Sequence, residues 1–293
     1  MRELILIHGR SQQGKDAGEL KETWIAALQE GIAGAGLQLD LDDAHVRLPF
    51  YGNTLIQLVD KSETVESIVI KGGKDSVGDT EAQLMAQVVG ELLAAKGITM
   101  AQVAAEQSLD EIAVKKKGPL NWGWVLTALR MLNSAGLGSL ALELCTRDVY
   151  QYVYDPSIKR SINEGVSGAF TDQEAVVVSH SLGTVVAYSI LSELGSQKGW
   201  KIPGFITLGS PLAIHAVNQL LPSLSMPMCV GTWYNGRDPR DTVALFPLSP
   251  DHFSDLGIIA KDSINNRSDD HHGIEEYLRD RDVASWIHAA LTS

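Results

Sequence analysis

The sequence predicts an α/β protein with a mostly parallel central sheet, helices on both faces and a helical cap inserted in the chain. Three observations lead there. Short β-branched runs alternate with longer stretches of helical period, the pattern of βαβ units that bury a parallel sheet between helices. The 293 residues are 44% hydrophobic and 20% charged, with 27 Gly and 10 Pro, enough apolar material for a large core and no low-complexity character. Between Gly97 and Ala141 the strand signals stop while helical ones continue, as they do in an insertion. The chain therefore divides into an α/β core, residues 1–96 and 146–293, and a helical cap or lid, residues 97–145.

Taken in order, Leu4 to Ile7 makes the first strand, and after a polar loop Leu20, Trp24, Leu28 and Ile32 recur every four residues as the apolar stripe of a helix. The stretch Leu37 to Leu48 holds a second strand. From about Asp60 the pattern weakens into Lys, Gly, Ser and Asp, and Thr80-x-x-Gln83 then offers a capping box ahead of Leu84, Val88 and Leu92 at helical spacing. Beyond the insertion, Glu174 to Val178 restores the sheet, and Phe205 to Leu208 and Met228 to Trp233 add strands. No internal repeat is visible.

Charge and cysteine content narrow the function. With 24 basic and 36 acidic side chains, 24 minus 36 gives a net charge of -12, which opposes binding to nucleic-acid phosphates. The single basic run, Lys115 to Lys117, reads as a solvated turn. Cys145 and Cys229, both in apolar surroundings, do not make a disulfide framework, so the expected setting is reducing and cytoplasmic. The apolar run at the N-terminus is too short for an export signal and carries Glu3, and Gly118 to Leu142 is interrupted by Arg130, Asn121, Asn133 and glycines, so no membrane-spanning helix is expected.

The segment Ala175-Val176-Val177-Val178-Ser179-His180-Ser181-Leu182-Gly183-Thr184-Val185 runs from a β-branched strand through a tight turn into a helical pattern, with Ser181 at the apex. A nucleophilic serine needs its hydroxyl held out on such a turn, with small neighbours so that strand and helix approach closely. Ser179 and Gly183 are those neighbours, Ser179 standing where the G-x-S-x-G pattern has its first Gly.

On these residues the chain resembles the α/β-hydrolase superfamily, among the lipase-like serine esterases that carry His-Ser-Leu-Gly at the elbow. The resemblance implies the α/β-hydrolase fold and a Ser-acid-His triad in that chain order. It favours Asp241, which precedes Thr242-Val243, with Asp238 before Pro239 as the alternative acid. It favours His272 as the base, in His-x-Ile-x-x-Tyr-Leu at the start of the last helical stretch, with His271 and then His252 as alternatives.

In this reading Ser181 attacks an acyl carbonyl while His272 takes its proton and Asp241 holds the imidazole; an acyl-enzyme forms and is hydrolysed without metal or organic cofactor. The oxyanion requires two N–H donors, expected from Leu182 and from Arg10 in His8-Gly9-Arg10, the segment that resembles the family's His-Gly turn. His8 is expected to be a buried, hydrogen-bonded residue shaping that turn.

Other chemistries compete. Gly9-x-x-x-x-Gly14-Lys15-Asp16 differs from a phosphate-binding loop at its last position, where Asp16 replaces the hydroxyl that ligates magnesium. Asp270-His271-His272 resembles a phosphoesterase metal motif, but lacks a second ligand cluster upstream. A non-catalytic hydrolase-like binding module is a third reading. Apolar residues of the cap, Trp122 and Trp124 among them, together with Tyr51, are candidates to line an acyl pocket, or else simply core. The expected substrate is a small acyl ester or lipid-like molecule; thioester and phospholipid cleavage would use the same triad.

Overall fold

The computed structural model describes residues 2–9, 12, 14–52, 76–108, 123–136, 147–221, 224–249, 257–268 and 270–293. Strand β1 (Glu3–Ile7) leads to helix α1 (Ala17–Gly34) and the two-residue strand β2 (Val46–Arg47). Helices α2 (Ser76–Ala95), α3 (Met100–Glu106), α4 (Gly123–Ser134), α5 (Val149–Tyr154) and α6 (Pro156–Ser167) follow. Then come β3 (Ala175–His180), α7 (Leu182–Ile190), β4 (Ile202–Leu208), the short α8 (His215–Asn218), β5 (Val230–Gly236) and β6 (Ile259–Lys261). Two helices, α9 (Ile274–Arg279) and α10 (Arg281–Thr292), end the chain.

The six strands form one sheet in the order β2-β1-β3-β4-β5-β6, every neighbouring pair parallel. Because strand side chains alternate between faces, the sheet sorts its apolar residues into two cores. Ile5, Ile7, Val177, Phe205 and Trp233 join Leu84, Val88 and Leu92 of α2, Val125 and Leu132 of α4, and Val185 of α7. Leu4, Leu6, Val176, Val178, Ile206 and Leu208 face the other way, onto Leu20, Trp24, Leu28 and Ile32 of α1 and Val283, Ile287 and Leu291 of α10. Burial on both faces is why Leu4–Ile7 of β1 and 175–178 of β3 are continuous apolar runs and not alternating.

Several local expectations shift. In the 37–48 stretch only Val46–Arg47 pairs with β1, after a 3-10 turn at Asp43–His45. Helix α2 is already under way at Thr80, which therefore does not cap it; the capping box occurs one helix later, where Thr99 and Gln102 bond reciprocally at the start of α3. Strand β6 has no counterpart in the sequence reading. It is a three-residue edge strand with half-exposed side chains, too short to carry a period. From the 97–145 stretch, Val103 of α3 and Val125, Ala128, Leu129 and Leu132 of α4 enter the same hydrophobic cluster as the sheet and α2. Cys229 is half-buried with a free thiol 3.6 Å from the Leu191 carbonyl oxygen, and burial raises its pKa. Lys115 to Lys117 and Cys145 lie outside the described residues. Among those residues no single helix is long and apolar enough to cross a membrane.

This topology fixes where a site belongs. The chain leaves β1 to one side to form β2 and returns on the other side as β3, so connections diverge between the ends of β1 and β3. In open parallel sheets that divergence leaves a crevice at the carboxyl ends of the strands. Gly9 follows the end of β1, and Ser181 follows the end of β3.

Candidate active site

Ser181 sits between β3 and α7 with φ 58° and ψ −131°, the one non-glycine residue with positive φ among those described. A side-chain residue held there is strained, and persists only where its surroundings enforce it. The enforcement is visible. Ser181 N–H donates to the Leu208 carbonyl at 3.1 Å, and its own carbonyl accepts from Thr184 N–H at 2.9 Å and Thr184 Oγ1 at 2.7 Å. A Cβ on Gly183 would collide with the Ile7 and His8 carbonyl oxygens, and one on Gly9 would lie 2.6 Å from Ser181 Cβ. Absent side chains at 9 and 183 thus let the end of β1 lie against the turn. Ser179, in the place of the motif's first Gly, is fully buried and donates its hydroxyl to the Ile206 carbonyl at 3.1 Å.

Three residues distant in sequence meet at this turn. His272 Nε2 lies 2.9 Å from Ser181 Oγ, and His272 Nδ1 lies 2.8 Å from Asp241 Oδ2. Since a carboxylate only accepts, Nδ1 carries the proton and Nε2 offers its lone pair to the serine hydroxyl. Ser181 is 2% exposed and Asp241 fully buried. Burial by itself would raise the Asp241 carboxyl, but the facing His272 and the hydrogen bonds from His272, Tyr277 and the Val243 N–H outweigh it and hold the group below the ordinary carboxylate value.

Asp238 is equally buried but engaged elsewhere. Its oxygens take Arg240 Nη2 at 2.7 Å, Arg240 Nε at 3.1 Å, the Arg240 N–H at 2.8 Å and the Asn266 N–H at 2.7 Å. The structure therefore brings Asp241, not Asp238, to His272. His271 is half-buried, has no hydrogen-bond partner at Nδ1, and contributes its carbonyl to Asn266 Nδ2 at 2.6 Å. His252 lies outside the described residues.

Of the expected oxyanion donors, Leu182 is the first residue of α7, where an N–H has no intrahelical acceptor. Arg10 lies outside the described residues. His8 is buried, its Nδ1–H donating to the Gly9 carbonyl at 2.7 Å and its Nε2 accepting from the Tyr51 N–H at 3.1 Å. Tyr51 returns a hydrogen bond from its hydroxyl to the His8 carbonyl and stacks on the His8 ring at 4.1 Å. Burial lowers His8 to a pKa of about 4, so its ring is neutral. Tyr51 is thus a buried strut of the β1 turn rather than an open pocket wall. Trp124 is half-buried against the larger hydrophobic cluster, and Trp122 lies outside the described residues.

Two residues that the sequence reading did not single out touch this constellation. Tyr277 donates its hydroxyl to Asp241 Oδ2 at 2.7 Å and accepts from the Asp238 N–H at 3.1 Å. The signal was its place five residues after His272, on the first turn of α9 with the side chain turned inward. His180 brings its Nε2 to 2.8 Å from the His272 carbonyl oxygen. Alternation along β3 turns it toward the α1 face, opposite to Ser179, a placement that becomes informative only when the position of residue 272 is known.

The competing chemistries find less. Asp16 is the N-cap of α1, with Oδ1 accepting from Gly18 N–H at 2.8 Å and Glu19 N–H at 3.0 Å, so a carboxylate occupies the helix end that a phosphate would need. Asp270 accepts the His272 N–H at 3.1 Å as a turn residue. Among the described residues no three His, Cys, Asp or Glu side chains group to hold a metal ion. No family model, no curated protein and no solved structure matches this chain, so any reading of its chemistry rests on the geometry of the site.

Proposed function

We propose that this protein is a serine hydrolase of the α/β-hydrolase type, cleaving carboxylic esters in the manner of carboxylesterases and lipases. The observation that carries this reading is the continuous hydrogen-bond chain Ser181–His272–Asp241 ending at a serine held with positive φ. Strain of this kind is retained where a hydroxyl must be presented.

In the proposed mechanism Ser181 Oγ attacks the ester carbonyl carbon as His272 Nε2 accepts its proton. Asp241 stabilises the imidazolium that forms and keeps the ring turned toward the serine. Negative charge on the carbonyl oxygen is met by the Leu182 N–H and by a second N–H, expected from Arg10. The intermediate collapses, the alkoxide leaves with the proton from His272, and Ser181 remains acylated. Water then attacks the acyl-enzyme while His272 again takes a proton, returning the serine and releasing the acid. Every group used belongs to the chain, and the substrate is a small acyl ester or lipid-like molecule. The free Cys229 thiol fits a reducing, cytoplasmic setting.

The test is treatment of the purified protein with a fluorophosphonate, with peptide mass spectrometry to locate the adduct and p-nitrophenyl esters of graded chain length assayed in parallel. An adduct on Ser181 with ester turnover is expected; folded protein that neither labels nor turns over removes the proposal. Acyl thioesters and phospholipids in the same assay sort the leaving group.

A further inference from the structure

We infer that His180 is a positioning residue for the base, holding His272 in register with Ser181 through the His272 main-chain carbonyl. The inference rests on the hydrolase reading and adds a component to it. A carbonyl oxygen only accepts, so the 2.8 Å contact requires His180 to carry its proton on Nε2 and donate it. His180 is the residue immediately before the nucleophile, and the carbonyl it holds belongs to the base itself. One short segment therefore contacts His272 twice, through the Ser181 hydroxyl to its ring and through the His180 imidazole to its backbone.

The surroundings leave His180 little freedom. Its ring centroid lies 4.5 Å from that of His272, 6.1 Å from Tyr277 and, edge-on, 6.4 Å from Trp24 of α1. Below them Gly209, with φ +55°, removes the side chain that would fill the junction: a Cβ there would lie 3.0 Å from Asp241 Oδ2, 3.2 Å from His180 Nε2 and 3.2 Å from His272 Cε1. His272 lies in a turn, at 271–272, where Asp270 Oδ1 accepts its N–H at 3.1 Å but no ladder of backbone bonds fixes its carbonyl. A donor reaching it from the rigid end of β3 supplies that restraint. Burial, with His272 adjacent, lowers His180 to a pKa of about 3, so the ring stays a neutral donor and only one of the two imidazoles takes up the serine proton near neutral pH.

The distinguishing experiment exploits reach. In His180→Gln the amide nitrogen occupies roughly the place of Nε2, whereas in His180→Asn it stops one atom short, with the same chemistry. A misplaced catalytic group costs on the order of 100-fold in rate. We therefore expect His180→Asn, and His180→Met with no donor, to lose about 30- to 100-fold in kcat with KM within about twofold, while His180→Gln stays within about fivefold of the parent. Rates of fluorophosphonate labelling at Ser181 should follow the same order. Equal loss in the Gln and Asn variants, or full activity in both, overturns the inference and leaves the hydrolase reading standing. Should the Met variant fail to fold, the Gln–Asn contrast decides. Absence of any Ser181 adduct in the parent protein removes both together.

Discussion

The turn after β3 and the loop after β5 deliver buried polar side chains to the same point by different means. The β3 turn uses shape: a strained backbone at Ser181, bare glycines at 9 and 183, and neutral partners, with His8 and His180 both uncharged. The β5 loop uses charge: Asp238 is clamped by Arg240 and by main-chain N–H groups, and that clamp orders the turn in which Asp241 N–H donates to the Asp238 carbonyl at 3.0 Å. Asp241 then accepts from Val243 N–H, Tyr277 and His272. A hydroxyl can be aimed by backbone geometry alone, whereas a buried carboxylate must be surrounded by donors before it can stay ionised.

The comparison breaks most sharply at its two functional ends. Ser181→Ala, measured by ester turnover and fluorophosphonate labelling, is expected to lower kcat by about 10⁶-fold and to abolish the adduct while leaving the fold intact. Undiminished turnover in that variant would falsify the role of the turn.

Next come the two carboxylates. Asp241→Asn is expected to cost about 10⁴-fold in kcat, because the amide favours the wrong imidazole tautomer. Asp238→Asn is expected to act mainly on stability, by about 1–3 kcal/mol in urea unfolding, since it weakens the donor cluster around the loop. If the two variants lose the same activity, the division between a catalytic and a structural acid is wrong.

Acidification sharpens the contrast in a different way. The folded state keeps His8 neutral down to about pH 4, against 6.5 for the free group. Between those values the unfolded chain binds more protons, so this stability is complete above pH 6.5 and lost as pH falls toward 4, about 3 kcal/mol in all. His180 acts in the same direction over a window reaching about pH 3. Asp238 and Asp241, held below the ordinary value of 3.8, contribute stability that is lost only as pH drops through the carboxylate range. Urea midpoints taken from pH 7.5 to pH 3 should therefore fall in two stages, the β3 end failing first. His8→Asn should flatten the upper stage; an unchanged slope in that variant would rule out His8 as its source.

The smallest expected effect lies where Tyr277 joins the two aspartates of the β5 loop. Tyr277→Phe removes one donor from Asp241 and one acceptor from the Asp238 N–H, and is expected to lower kcat about tenfold, the equivalent of one hydrogen bond to a charged group. Equal kcat in the variant and the parent would show that the remaining donors suffice for Asp241.

Much of the β3 end could be read from the chain. Val176-Val177-Val178 followed by Ser179-His180-Ser181-Leu182-Gly183 specifies strand, turn and helix within a few residues, although the steric demand for Gly183 comes from the distant Ile7 and His8 carbonyls. The β5 end could be read only in outline. Asp238 and Asp241 share a loop and a degree of burial, and nothing in their immediate neighbours says that Arg240 folds back onto the first and not the second. Strand β6 escaped because three residues carry no period, and Thr80-x-x-Gln83 misled because a capping box names a helix start only where the preceding backbone is not already helical.

The sequence by itself determined the alternation of strands and helices, the apolar runs of a buried parallel sheet and the apex position of Ser181, because each depends on residues near one another in the chain. The tertiary structure alone decided which acid meets His272, that His180 holds the His272 backbone, that Tyr51 clamps His8, and that Tyr277 joins the two aspartates. Those contacts connect residues tens to more than ninety positions apart, and their geometry follows from how strands pair and helices pack, which no local pattern encodes.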